Sequence, residues 1–266
     1  MTLLLKLLLA PILVVGSSLA GRQWGAQVAG MLVALPIVAG PILLITCLEQ
    51  GARFGARAAA ASLLGLVSLA LFTVVFAWCS RVCGWIGSLG VAWSACLLAD
   101  AGLSRMAVPP AWGLVLVLAT AWAAMKVLPA DDPACDDAGT APAWPWWDLP
   151  ARAGATAALV LLVTAAASTV GPGLTGVLAP FPIATSVVAV FVLAQHGSVG
   201  VVRTLRGVPR GLLGFSVFCF LVAVLVVPAG VATAFGVALA ATPAVQLAYR
   251  TVLARREGAV RAGSGG

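Results

Sequence analysis

The 266-residue chain contains very few charged residues. Asp, Glu, Lys and Arg make up 9% of it and 62% of its residues are hydrophobic, whereas about a quarter of an ordinary soluble domain is charged. A soluble globule could bury a large core but would still need a polar surface. Because this sequence cannot supply one, the composition excludes a soluble fold and indicates an integral membrane protein in contact with the lipid bilayer.

The chain also lacks the patterns of common enzyme and metal sites. Its one histidine, His196, has no Ser or Cys partner at a usable spacing, and there is no HExxH, no P-loop and no pair of buried carboxylates. Cys79 and Cys83 are one helical turn apart, but no second pair or nearby histidine completes a zinc site. We therefore expect no enzymatic activity, no metal and no cofactor.

The net charge of +7 does not indicate a nucleic-acid partner. The basic residues occur singly or in small groups between apolar blocks. That distribution is typical of topology signals, whereas a nucleic-acid-binding protein concentrates its basic residues on one surface.

The apolar residues form blocks that are long enough to cross a bilayer, which takes about 20 helical residues. They do not alternate strictly with polar residues, as the strands of a membrane barrel do. We predict an all-α, polytopic bundle of about nine transmembrane helices. Their approximate ranges are 3–20, 26–48, 58–78, 84–102, 109–126, 151–170, 173–195, 208–227 and 230–250.

The placement of Lys and Arg predicts the orientation. Nine crossings put four of them on the N-terminal side and eleven on the C-terminal side. Because basic loops stay in the cytoplasm, we expect a multi-pass protein of the bacterial inner membrane with its N-terminus outside and its C-terminus cytoplasmic. The acidic, Pro- and Trp-rich segment before residue 150 is then a cytoplasmic loop.

The two halves of the chain match at a constant offset of 146 residues. Matched Gly, Pro and Arg carry weight, because each has a specific backbone or charge role. The matched pairs are Gly25/Gly171, Gly30/Gly176, Pro36/Pro182, Gly51/Gly197, Arg57/Arg203 and Gly65/Gly211. Helices 1–4 then match helices 6–9, and the one helix left over turns the second copy upside down.

This arrangement is a 4+1+4 inverted repeat, the layout of many transporters. We predict a first four-helix repeat at 1–105 and a second at 151–251. Helix 5 and the acidic loop occupy 106–150 between them, and a basic, Gly/Ser-rich disordered tail occupies 252–266.

Each half resembles a small four-helix bacterial membrane protein of the GlpM-like kind. The stretch Leu174–Pro182, with Arg203-Thr204-Leu205 one hydrophobic span later, carries the resemblance. The first half keeps Ala29–Pro36 but lacks the Phe before its proline. The resemblance implies a duplicated and fused architecture and no particular activity.

Two matched prolines are the strongest local signal. Pro36 and Pro182 each lie about ten residues into a span, where a proline kinks or breaks the helix. The freed backbone groups are tolerated in a membrane only where protein or a cavity covers them. We predict that the two prolines approach each other near the bilayer centre and share a substrate or ion site. Its residues would be Leu35, Pro36, Ile37, Pro41, Phe181, Pro182, Ile183, Thr185 and Ser186. Two purely structural kinks are the alternative.

Ionisable residues near helix ends are further candidates. Glu49 and His196 end matching helices and are predicted to act in gating or proton transfer, or else as interfacial polar ends. Asp100 is predicted to pair with Arg105. Asp148 and Arg152, one turn apart, are predicted to pair at the start of a helix.

The basic residues Arg203, Arg206 and Arg210 are predicted to determine topology, with anionic-lipid binding as a second role. Together these features favour a transporter or exporter of a small solute or ion. The alternative is a non-transporting scaffold or assembly partner of an envelope enzyme.

Overall fold

A computed structural model describes residues 2–36, 39–106, 108–129, 146–170 and 182–263. Apart from short turns, this part of the chain is helical, and it contains no strand. Its helices are α1 (Thr2–Trp24), α2 (Ala26–Val33), α3 (Ala39–Gln50), α4 (Ala52–Cys79), α5 (Trp85–Leu103), α6 (Pro110–Val127), α7 (Asp148–Val170), α8 (Ile183–Leu205), α9 (Val208–Leu225) and α10 (Val231–Gly263).

Seven of the described helices are long and apolar enough to cross a membrane. They are α1, α4, α5, α6, α8, α9 and α10. Large apolar side chains also cover the outside of the bundle, including Leu98 (75% exposed), Trp112 (68%) and Leu247 (65%). An outer surface of this kind suits hydrocarbon and not water. The protein is therefore a multi-pass integral membrane protein.

Helices α4 and α9 form the centre of the bundle. They pack against each other, α6 packs against both, and each has its own outer partner, α5 for α4 and α10 for α9. Phe72 of α4 and Phe218 of α9, which are 146 residues apart, are both fully buried. The core therefore lies between elements from the two halves of the chain.

Glycines allow α2 to approach the junction of α8 and α9 at backbone distance. A Cβ on Gly30 would lie 1.8 Å from the carbonyl oxygen of Thr204, and one on Gly207 would lie 1.9 Å from that of Gln27. No side chain fits at such distances, so these positions require glycine. Small residues at a helix contact are a common way to pack helices in membranes.

The helix boundaries recur at the 146-residue offset. Helices α1 and α7 begin and end at matching positions, and so do the C-terminal ends of α4 and α9. Gly51 precedes α4 with φ 87°, and its match Gly197 kinks α8 with φ 66°. Only glycine adopts positive φ readily, which explains why the two turns fall on matched glycines.

Two boundaries differ from those predicted. The polar stretch Glu49–Arg57 was expected to separate two helices, but α4 begins directly after Gly51, and its first-turn Arg53 is exposed at the helix end. The segment after residue 252, predicted as a disordered tail, continues α10 as helix to Gly263. Its Ala, Leu, Arg and Glu residues are good helix formers.

Candidate functional site

The predicted break at Pro36 is present and opens a crevice. Helix α2 ends at Val33, and Ala34–Pro36 leave the helical path before α3 begins at Ala39. A cavity of about 400 Å³ lies between this break and α10. It is lined by Met31, Leu35, Pro36, Leu239, Thr242, Pro243, Gln246 and Leu247.

The crevice is mainly apolar, with two polar residues on the α10 side. The Thr242 hydroxyl donates to the carbonyl of Ala238, at 2.8 Å. The Gln246 amide lies 3.4 Å from the carbonyl oxygen of Gly211. Thr242 and Gln246 are both more than nine-tenths buried. The crevice can therefore accept a mainly apolar group and present an amide to a polar one.

The second proline begins a helix. Pro182 is buried at the N-terminus of α8, and its carbonyl accepts the backbone N–H of Ser186, at 2.8 Å. Thr185 and Ser186 are buried. The indole N–H of Trp93 in α5 donates to the Ser186 hydroxyl, at 3.0 Å.

The structure does not bring all nine predicted site residues together. Within the described part of the chain, Leu35 and Pro36 line the crevice with α10, while Ser186 contacts α5. Pro41 and Ile183 are half-buried near the starts of α3 and α8. Ile37 and Phe181 lie outside the described residues, and a cavity shared by the two prolines stays a prediction.

A second polar site joins three helices where α1 ends and α7 begins. We call Ser18, Arg22, Asp148, Arg152 and Gln195 the polar cluster. Arg152 Nε donates to both Asp148 oxygens, at 2.9 and 3.0 Å, and Arg22 donates to Asp148 Oδ2 at 2.8 Å. Gln195 of α8 also donates to Asp148, and Arg152 Nη2 donates back to Gln195 at 3.1 Å. The predicted Asp148–Arg152 pair is thus confirmed.

Burial makes the polar cluster energetically important. Asp148 is 0% exposed and Arg152 is 1% exposed, with its guanidinium 5.1 Å from the Phe191 ring centroid. Asp148 lies in the first turn of α7 and Arg22 in the last turn of α1. Both positions suit the helix dipoles. The Arg22–Asp148 ion pair therefore connects α1 to α7.

The candidate gating residues have different surroundings. Glu49 is exposed at the end of α3, whereas its match Gln195 belongs to the polar cluster. His196, the next residue, is half-buried in α8. Of the basic residues predicted to bind lipid, Arg203, Arg206 and Arg210 are all half-buried. Arg210 donates to the side chain of Gln27 in α2.

The predicted pairing of Asp100 with Arg105 is wrong. Asp100 faces α4 from inside the bundle, where it accepts hydrogen bonds from the Ser68 hydroxyl and, at 3.9 Å, from the Cys96 thiol. Arg105 follows the C-terminal end of α5 and is exposed. Comparison of the chain with protein-family models, with curated proteins and with solved structures finds no match.

Proposed function

We propose that the protein is a secondary transporter or exporter of a small solute or ion, which crosses between two inverted halves by alternating access. The observation that carries the proposal is the crevice beside Pro36. It lies against a broken membrane helix and holds the buried polar groups of Thr242 and Gln246. Transporters commonly bind substrates at such discontinuous helices.

The inverted repeat is part of this proposal. It is supported by the matching bounds of α1 and α7 and by the matched turns at Gly51 and Gly197. In addition, α4 packs against α5 just as α9 packs against α10. Helix α6 packs against both α4 and α9. This is the position expected of one extra helix beside a pseudo-two-fold axis.

Nine crossings follow from this reading. Helices α2 and α3 together make one broken crossing. The matching crossing in the second half ends at His196, just before the Gly197 kink in α8. After Gly197, the end of α8 continues into α9, because Arg206 and Gly207 keep right-handed helical angles. We propose that α7 crosses as well, that the N-terminus lies outside, and that the C-terminus lies in the cytoplasm of a bacterial inner membrane.

We further propose that the halves derive from a small four-helix unit of the GlpM-like kind. Arg203, Arg206 and Arg210 then lie near the cytoplasmic face, where anionic lipid headgroups are within reach.

A flux assay in proteoliposomes with a broad panel of solutes tests the transport proposal. We expect Pro36→Ala and Pro182→Ala to reduce flux at least tenfold while the amount of inserted protein falls less. Pro11→Ala, which changes a proline inside α1 away from the crevice, is the matched control and should retain flux. If no solute in the panel moves, the scaffold alternative is favoured. If both proline variants transport normally, the site hypothesis fails and two purely structural kinks are favoured.

A further inference from the structure

Asp100 is a buried carboxyl group inside a membrane helix. It lies in the last turns of α5 and is 5% exposed. Its two oxygens accept hydrogen bonds from Ser68 of α4 and Cys96 of α5. Ionisable residues within transmembrane segments are rare, because they are costly to bury, and they commonly mark ion or proton pathways.

No cation balances this carboxyl group in the described part of the chain. The two other carboxyl groups whose side chains are described differ from Asp100 in this respect. Glu49 is exposed to its surroundings, and Asp148 is paired with two arginines. The charged residues of α4, Arg53 and Arg57, lie three or more turns from Ser68. An ionised carboxylate buried without a cation costs several kcal/mol, so such a group takes up a proton or a cation instead.

Its neighbours favour a proton over a metal cation. Hard cations take about six or more oxygen ligands. Asp100 contacts only one hydroxyl and one thiol among the described side chains. Helix α8 approaches α5 at Trp93, seven residues before Asp100, through the hydrogen bond to Ser186. One hydroxyl and one thiol solvate a carboxylic acid adequately but do not replace the hydration shell of Na⁺.

The 146-residue offset places Asp100 at a functional position. Trp93, Cys96 and Asp100 match Leu239, Thr242 and Gln246, and the last three all line the crevice beside Pro36. Helix α5 also contacts α8 at Ser186, four residues after Pro182. Similarly, α10 lines the crevice beside Pro36. Asp100 therefore occupies in α5 the position that Gln246 occupies in α10, where Gln246 lines the crevice beside Pro36.

We propose that Asp100 is a proton-binding site and the coupling group of the transporter. The carboxylic acid releases its proton to water at the nearby C-terminal end of α5 and becomes a carboxylate that Ser68 and Cys96 stabilise by hydrogen bonds. Uptake reverses this step, so atoms and charge balance without a further reactant. The coupling role rests on the proposed transport function, whereas proton binding can be measured without any substrate.

Infrared spectroscopy of the purified protein in lipid nanodiscs tests proton binding directly. Above about pH 5, where exposed Asp and Glu are largely ionised, we expect a protonated-carboxyl band to remain and to disappear reversibly as pH rises further. Asp100→Asn should remove this band, and Glu49→Gln should not. The Asn variant should fold, since an amide, that of Gln246, already occupies the matching position. A band that survives in Asp100→Asn overturns the proposal.

Carbodiimide labelling of the wild-type protein provides a test that needs no variant. A hydrophobic carbodiimide reacts with protonated carboxyl groups, and mass spectrometry locates the adduct. We expect modification at Asp100 that falls about tenfold per pH unit above the midpoint. No adduct at any pH, or protection by Na⁺ at constant pH, would contradict a proton site. If Asp100 titrates but no solute moves, the transport proposal fails and the proton site stands.

Discussion

The α4–α5 pair and the α9–α10 pair occupy matching positions in the two halves but carry different polar groups. In the first pair, the Ser68 hydroxyl donates to Asp100. In the second, Gly214 stands at the position of Ser68 and Gln246 at that of Asp100. A Cβ on Gly214 would lie 2.8 Å from the Gln246 amide nitrogen, so the missing side chain makes room for the amide. Both pairs consist of two helices packed against each other, whereas at these matched positions only the first pair carries a group that can ionise.

The helix ends that carry Gln195 and Glu49 show a second contrast. Gln195 joins a buried cluster with Asp148 and Arg152, while Glu49 at the matching position is exposed. In the proposed topology these residues lie on opposite faces of the membrane. If the proposed topology and transport function hold, the ion pairs of Asp148 lie on the cytoplasmic side, and alternating access would require them to break and re-form.

The largest expected effect on stability comes from the polar cluster. Asp148→Asn should destabilise the protein by about 3–5 kcal/mol, because it leaves Arg22 and Arg152 without their carboxylate partner. Glu49→Gln, at the exposed matching end, should change stability by less than about 0.5 kcal/mol. Thermal unfolding in detergent, followed by tryptophan fluorescence, measures both. Equal effects of the two substitutions would contradict the contrast between the ends.

A smaller effect is expected where the two halves meet at backbone distance. Gly30→Ala should destabilise the protein by about 1–3 kcal/mol, because its methyl group would overlap the Thr204 carbonyl and force α2 away from the C-terminal end of α8. Gly90→Ala is the matched control in α5, where no atom lies within 4 Å of the added methyl group. It should stabilise by up to about 1 kcal/mol through helix propensity. The same unfolding assay measures both variants, and we expect changes in stability of opposite sign.

The smallest effect concerns the hydrogen bond between α5 and α8. Trp93→Phe removes the donor to Ser186 and should cost about 1 kcal/mol. Trp112→Phe, at an exposed position of α6, serves as the control for replacing an indole by a phenyl ring. A Trp93→Phe variant as stable as the wild type would show that the Ser186 contact adds nothing to the packing.

The features that were predictable from the sequence are those with local causes. The break at Pro36 was expected, because proline removes a backbone donor within its own helix. The Asp148–Arg152 pair was expected, because residues four apart share a helix face. The helical start of α4 at Ala52 was missed, since the exposed Arg53 and Arg57 resemble a loop when only composition is read.

The features that escaped prediction depend on contacts between distant helices. Arg22 and Gln195 reach Asp148 from α1 and α8, and no local spacing indicates this. Asp100 was assigned to Arg105 because that residue is near in sequence, but the side of α5 that carries Asp100 faces α4. The constant 146-residue offset was the available signal that these positions are related, since it matches Asp100 with Gln246 and Glu49 with Gln195.

The central claim is that the two halves have opposite orientations in the membrane, and thiol accessibility tests it most directly. Arg53 and Val199 match at the 146-residue offset, and both are exposed just beyond the Gly51 and Gly197 turns. Single cysteines at these positions, in a chain without the native cysteines, would be treated with a membrane-impermeant maleimide. We predict that Arg53→Cys reacts in intact cells and that Val199→Cys reacts only after permeabilisation. Reaction of both from the same side would contradict the inverted repeat.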